Sequence, residues 1–344
     1  MMKMFSGSLW VSLVGFCLAF WIGFRDGGVP AAFSTLFLTV VLAVLEVSLS
    51  FDNAVVNASV LERMTELWRR RFLTWGILVA VFGMRLVLPL AIVAVMANIS
   101  PVAALVMAIE DPKGYAAMML SIHETVAAFG GTFLFMVGLE YFLNYEKDEH
   151  WLHWIEAPLA RLGRIKSVEV ILALIVIMSM AFFVDEPGRL SFLIAGISGI
   201  ITFLIVDGLG AVLGGGDENV SQATIRDAHR VSLGLFLYLE VLDASFSFDG
   251  VIGAFALTQS LFLIAIGLGI GAMFVRSITI ALVERGTLQQ FRYLEHGAFW
   301  AILSLAGLMY AGIFAHIPEV ITGICGALFI GSAVVSSRRA SASV

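Results

Sequence analysis

Hydrophobic positions in this chain do not alternate with polar ones; they run on for whole helix lengths. Ten stretches read this way: Leu9–Phe24, Phe33–Val60, Phe72–Ala97, Thr125–Asn144, Val168–Val184, Leu190–Leu213, Val231–Leu257, Leu261–Val283, Gly297–Ala315 and Val320–Ser336. A helix that is apolar all round belongs in a core or a bilayer. About 20 such residues cross a ~30 Å hydrocarbon layer. The pattern predicts an all-α, polytopic membrane protein of about ten transmembrane helices. Met1–Phe24 shows no small-residue cleavage site, so it is read as a span that is kept. Asn98–Glu124 is long and partly apolar, and is expected as an interfacial helix on the outer face. Tyr145–Ser167 is a charged connection, and its Trp151-Leu-His-Trp154 cluster reads as an interfacial anchor.

Composition agrees. The 344 residues are 60% hydrophobic and 13% charged, with a mean hydropathy of +0.97. Soluble domains carry about twice that charged fraction. The net charge of −6 matters less than how the basic residues divide. With the N-terminus in the cytoplasm, only Arg25, Lys113 and Arg189 fall outside. Arg85 and Arg276 fall within helices, and the other fifteen of the twenty lie inside. That is the positive-inside asymmetry. It predicts a multi-pass protein of a bacterial inner membrane with both termini cytoplasmic. Cys17 and Cys325 stand alone in separate spans and read as small core residues.

One segment recurs. Glu46-Val-Ser-Leu-Ser-Phe-Asp52-Asn53 returns as Asp243-Ala-Ser-Phe-Ser-Phe-Asp249-Gly250. The second and seventh spans carry the two copies, so they cross the membrane in opposite directions. Each is followed by a helix with one arginine, Arg85 or Arg276. A third helix then opens with a histidine beside an acid, His123-Glu124 or Glu295-His296. Met136 and Met309 follow at equal distance. This predicts one transmembrane domain (1–344) with an inverted three-helix repeat. Repeat A spans 31–144 and repeat B 231–316, with connecting spans at 168–213 and a final span at 320–336. Inverted repeats recur in secondary transporters, with the binding site where the repeats meet.

Carboxylates inside a bilayer are costly and mark ion pathways or proton relays. Glu46 and Asp52, six residues apart, lie about 120° apart on a straight helix. A break beside them would let them converge, and Asn53 and especially Gly250 favour one. Ser48, Ser50, Ser245 and Ser247 could satisfy the backbone groups so freed. Glu46, Asp52, Asn53, Glu240, Asp243 and Asp249 offer oxygen ligands only, which suits a hard divalent cation. Without a cation some of these acids would hold protons, so metal-for-proton exchange fits. Arg85 and Arg276 are expected to neutralise acids across the repeat interface. Asp207 is expected as a charge-pairing, gating or relay acid, and Glu140 as a solvated helix-end group. His123, Glu124, Glu295 and His296 are placed at the membrane borders, on the route of ion access.

The run Leu45-Glu46-Val-Ser-Leu-Ser-Phe-Asp52-Asn53-Ala54 resembles the signature of the TerC family of bacterial membrane proteins. Residues 31–144 and 231–316 share the resemblance. The ten-span layout is most similar to a TerC-related branch catalogued only as a domain of unknown function. The family name comes from tellurium-resistance operons, and the resemblance implies export of manganese and loading of metal onto exported enzymes. It points to Glu46, Asp52, Asn53, Asp243 and Asp249 as the residues that matter. Gly250 stands where the commoner pattern has Asn, so the halves are not equivalent.

The expected function is therefore export of a divalent cation, Mn²⁺ foremost, without enzymatic chemistry. Mn²⁺ or another hard cation is substrate rather than cofactor, and no tightly bound cofactor is expected. The expected partners are the lipid bilayer, the cation and protons, with a second copy of the chain or exported metalloproteins as candidates, and no nucleic acid. A non-transporting metal-handling partner is the alternative. An intramembrane aspartyl protease is disfavoured, because the Asp217 of Gly214-Gly-Gly-Asp217 falls in a polar loop.

Overall fold

A computed structural model of the chain describes residues 2–147, 149–213, 225–315 and 317–342. The Gly214–Asp217 sequence weighed above lies outside them. Among the described residues every regular element is helical. Among the described residues, seven helices are long and apolar enough to cross a membrane. The protein is an all-α polytopic membrane protein.

The first element, α1 (Met2–Leu49), holds two predicted spans in one hairpin. It is interrupted at Gly27 and Gly28, and Gly28 sits at φ +69°, a conformation that favours glycine. Pro30, with φ already fixed for a helix, restarts the second half. The two halves then lie against each other. Thr35 Oγ1 donates to the Ala19 carbonyl at 2.9 Å, and Phe20 meets Phe33 edge-on at 5.7 Å. Gly23 permits the approach, since a Cβ there would lie 2.8 Å from Ala32 Cα.

The predicted span Phe33–Val60 is divided at Ser50 into the end of α1 and α2 (Phe51–Glu62). The span Phe72–Ala97 becomes α3 (Glu66–Leu78), a π-helical segment (Val79–Val87) and α4 (Leu88–Met96). The region 98–124 forms two short helices, α5 (Pro101–Glu110) and α6 (Pro112–Ser121). Each has proline in its first turn and a side-chain cap, Ser100 or Asp111. There follow α7 (His123–Leu143), α8 (His153–Leu162), α9 (Val168–Ala181), α10 (Glu186–Leu213), α11 (Ile225–Leu257) and α12 (Leu261–Glu284). The chain ends with α13 (Thr287–Gln290), α14 (Leu294–Ala311) and α15 (Glu319–Ala342). Segments α9 and α14 coincide with predicted spans, although they are shorter or less apolar than the seven.

Lipid tails are as apolar as Leu, so helices in a membrane associate where small residues let them close in. This chain does so repeatedly. The second half of α1 runs along α12, with Leu42 over Gly267 and Glu46 over Gly271. Helix α7 meets α14 where Gly130 and Gly131 face Met309, and meets α10 at Gly199. The outward faces stay apolar. Trp10, Phe37 and Phe182 are 68, 71 and 77% exposed, as lipid-facing side chains would be. Cys17 is on this outer surface and Cys325 is half-buried, so neither is the core residue expected; both are free thiols.

At the basic end, the connection 145–167 is tied down by a buried acid. Glu156 accepts hydrogen bonds from the backbone N–H groups of Trp151 and Leu152 and from the Trp300 indole on α14. Trp154 is exposed.

Candidate functional site

Two arginines organise the polar centre. Arg85 projects from the π-helical segment and its Nη2 binds Glu46 Oε1; its Nη1 donates to the Ala80 carbonyl at 3.1 Å. The wider π turn is a common device at functional positions. Arg276 projects from α12. Its Nη2 lies 3.4 Å from Asp243 and 3.5 Å from Glu240, and its Nη1 donates to the Phe72 carbonyl at 2.8 Å. The guanidinium also stacks over the Phe72 ring at 4.1 Å. Each arginine thus neutralises acid from its own repeat. The expectation of pairing across the repeat interface is corrected: each arginine lies one helix along from its motif acid and pairs with it inside the same half of the chain.

The repeats meet through the motifs themselves. Asn53 Nδ2 donates to Asp243 Oδ1 at 2.7 Å. The reciprocal position, Gly250, lies against Glu46: a Cβ on Gly250 would sit 3.5 Å from Glu46 Oε2. The last motif residue of each half therefore addresses the first motif acid of the other. Two more glycines complete the crossing. Gly271 of repeat B leaves room for the Glu46 side chain, and Gly76 of repeat A leaves room for Arg276 and Glu240.

Helix breaking contributes less than the sequence suggests. Ser50 departs from helical geometry (φ −102°, ψ 19°), so a mild break does fall between Glu46 and Asp52. Gly250 makes none: α11 is continuous through it. Glycine serves here for close approach, not for its backbone freedom. Ser48 and Ser245 donate back to carbonyls four residues earlier, while Ser50 donates to Glu46 Oε1 at 3.2 Å. Asp52 accepts from the Asn53 N–H at 2.9 Å and faces Gly326 of α15, so it does not point at Asp243. The side chain of Asp249 lies outside the described residues.

Among the described residues, no three acidic, histidine or cysteine side chains gather closely enough to hold one ion. The acids Glu46, Asp52, Glu240 and Asp243 are nevertheless all buried, and only Arg85 and Arg276 are buried with them. The centre carries two more acids than arginines.

Water-accessible space approaches this centre from both ends. A cavity of about 360 Å³ at the basic end is lined by Ser59, Arg63, Glu140, Asp207, Tyr238 and Glu295. One of about 540 Å³ at the opposite end is lined by Leu45, His123, Ile252, Gly253 and Met309. Asp52 is seven residues from Ser59, about 10 Å of helix, and Asp243 is nine from Ile252, about 13 Å. The acids lie between the cavities and line neither.

Asp207 and Glu140 both line the basic-end cavity. Both side chains are exposed, as expected of Glu140. The visible signal was a single acid in each of two apolar stretches. His123 lines the cavity at the opposite end and Glu295 the one at the basic end. Glu124 approaches Gly188. His296 does not serve access: it is buried, with Nε2 at 3.0 Å from the Glu149 carbonyl and 3.5 Å from Glu156. It fastens the 145–167 connection to α14.

Lys147, in that connection and outside the spans, lies 3.1 Å above the Tyr141 ring and reaches the basic-end cavity. Burial pushes its ammonium pKa down to about 8, against the pull of Glu295, Glu156 and Glu149.

Comparison with curated proteins gave no match, nor did comparison with solved structures. A family model does match, over residues 51–343, which takes in Asp52, Asn53, both arginines and the whole second motif. The chain belongs to the family described as Protein of unknown function (DUF475).

Proposed function

We propose that the protein is a secondary transporter exporting a hard divalent cation, Mn²⁺ foremost, through the crossing of its two acidic motifs. The observation that carries this reading is the reciprocal contact of Asn53 with Asp243 and Gly250 with Glu46. It joins two oppositely oriented helices at a buried centre with more acid than arginine. Such a centre attracts a cation, and its oxygen-only chemistry selects a hard one. The ligand set among the described residues is open, and a transported ion must bind loosely enough to leave. The flanking cavities fit alternating access, with the acids closed off from both sides. Tilting one repeat against the other would join them to one cavity at a time.

The TerC resemblance supports the same reading and adds manganese. In cells, the chain should lower Mn²⁺ accumulation and raise Mn²⁺ tolerance, and Asp243→Asn should remove both effects. If Asp243→Asn protects as well as the native chain, the crossing does not carry the ion.

A further inference from the structure

Asn53 and Asn57 are the buried carboxamides among the described residues, 3% and 1% exposed. They stand four positions apart on α2, so they share one face, about 6 Å apart along the axis. Asn53 donates its amide to Asp243, but the Oδ1 atoms of both side chains accept no hydrogen bond among the described residues. A buried carbonyl left unmet is costly. The next residue on this face, Val60, lines the basic-end cavity, together with the acids Glu140, Asp207 and Glu295. Asn57 thus stands between that cavity and the crossing.

The second half of the chain repeats this layout without its chemistry. Gly250, Ala254 and Leu257 take the positions of Asn53, Asn57 and Val60, and Leu257 lines the cavity at the opposite end. In each half the same helix face therefore leads from the crossing to a cavity. On the basic-end side it carries two carboxamide oxygens, and on the other side none.

We propose that Asn57 is a relay ligand for the transported cation, passing it between the basic-end cavity and the crossing. The inference rests on the transport reading above and adds a side to it. A hard cation that sheds water needs oxygen at each step, and a neutral carboxamide supplies it without holding the ion fast. A packing role does not call for a buried oxygen that meets no donor. The face beyond the crossing offers no second such stop, which fits release at the opposite end.

The test is the Mn²⁺ dependence of initial flux in proteoliposomes holding the full-length protein. Asn57→Leu keeps the size of the side chain and removes the oxygen. It should raise the half-saturating Mn²⁺ concentration about tenfold, the effect of losing one contact to a charge, without lowering the unfolding temperature. Asn57→Asp restores an oxygen and should return half-saturation to near the native value. If Asn57→Leu does not fold, Asn57→Ala replaces it. Native flux whose half-saturation the folded Leu or Ala variant leaves unchanged overturns the relay and leaves transport through the crossing standing. A folded Asn57→Asp variant shifted as far as Asn57→Leu assigns the side chain to packing and also overturns the relay. No Mn²⁺ movement by the native protein overturns both readings.

Discussion

Asn53 and Asp243 stand 190 residues apart and share a 2.7 Å hydrogen bond at the centre of the bundle. One ends the first copy of the motif and the other begins the second. The bond joins the two copies of the motif in space.

Arg85 and Glu46 form a buried ion pair, each about 2% exposed. Removing one partner of such a pair costs about 3–5 kcal/mol, because the other is left as an unmatched buried charge. Arg85→Gln should therefore lower thermal stability sharply. The double variant Arg85→Gln/Glu46→Gln should recover much of the loss. Additive losses would show that the two groups do not compensate each other.

Gly250 and Gly271 both approach Glu46, but with different room. A Cβ at Gly250 meets Oε2 at ordinary contact distance, 3.5 Å. Gly250→Asn should therefore be tolerated, and its amide can donate to Glu46 as Asn53 does to Asp243. At Gly271 a Cβ would overlap the Glu46 side chain and approach the Ala43 carbonyl to 2.9 Å. Gly271→Ala should cost about 1–3 kcal/mol, as overpacking does. Gly331→Ala, with open space around it, should cost nothing. Equal unfolding temperatures for Gly271→Ala and Gly331→Ala would contradict the packing described.

Lys147 supplies a pH dependence. Its folded pKa of about 8 lies below the unfolded value of about 10.4. Between those values the unfolded chain binds more protons, so stability from this group rises with pH across that window. Lys147→Met should remove that slope. The protein has four lysines, so the Lys147 signal can be assigned in ¹³C-methylated protein by loss in this variant. A midpoint near 10.5 would contradict the buried position.

The helical stretches and the paired arginines were legible because each depends on residue type at a fixed spacing. Ten apolar stretches correspond to helices, and Arg85 and Arg276 are buried beside the motif acids. What sequence could not supply was direction. Spacing along one helix does not say which neighbour a side chain faces, and Asp52 turns toward Gly326. The same gap hid the use of Gly250, which could equally break a helix or admit a neighbour. His296 looked like a border group because its partners, Glu149 and Glu156, come from a distant connection.

The most direct test is Mn²⁺ flux in proteoliposomes, with and without a pH gradient, for the native protein and for Asp52→Asn and Asp249→Asn. Transport through the crossing predicts Mn²⁺ movement by the native protein and its loss in either variant that remains folded. Native protein of confirmed fold that moves no Mn²⁺ under either condition, or variants that move it undiminished, would contradict the assignment.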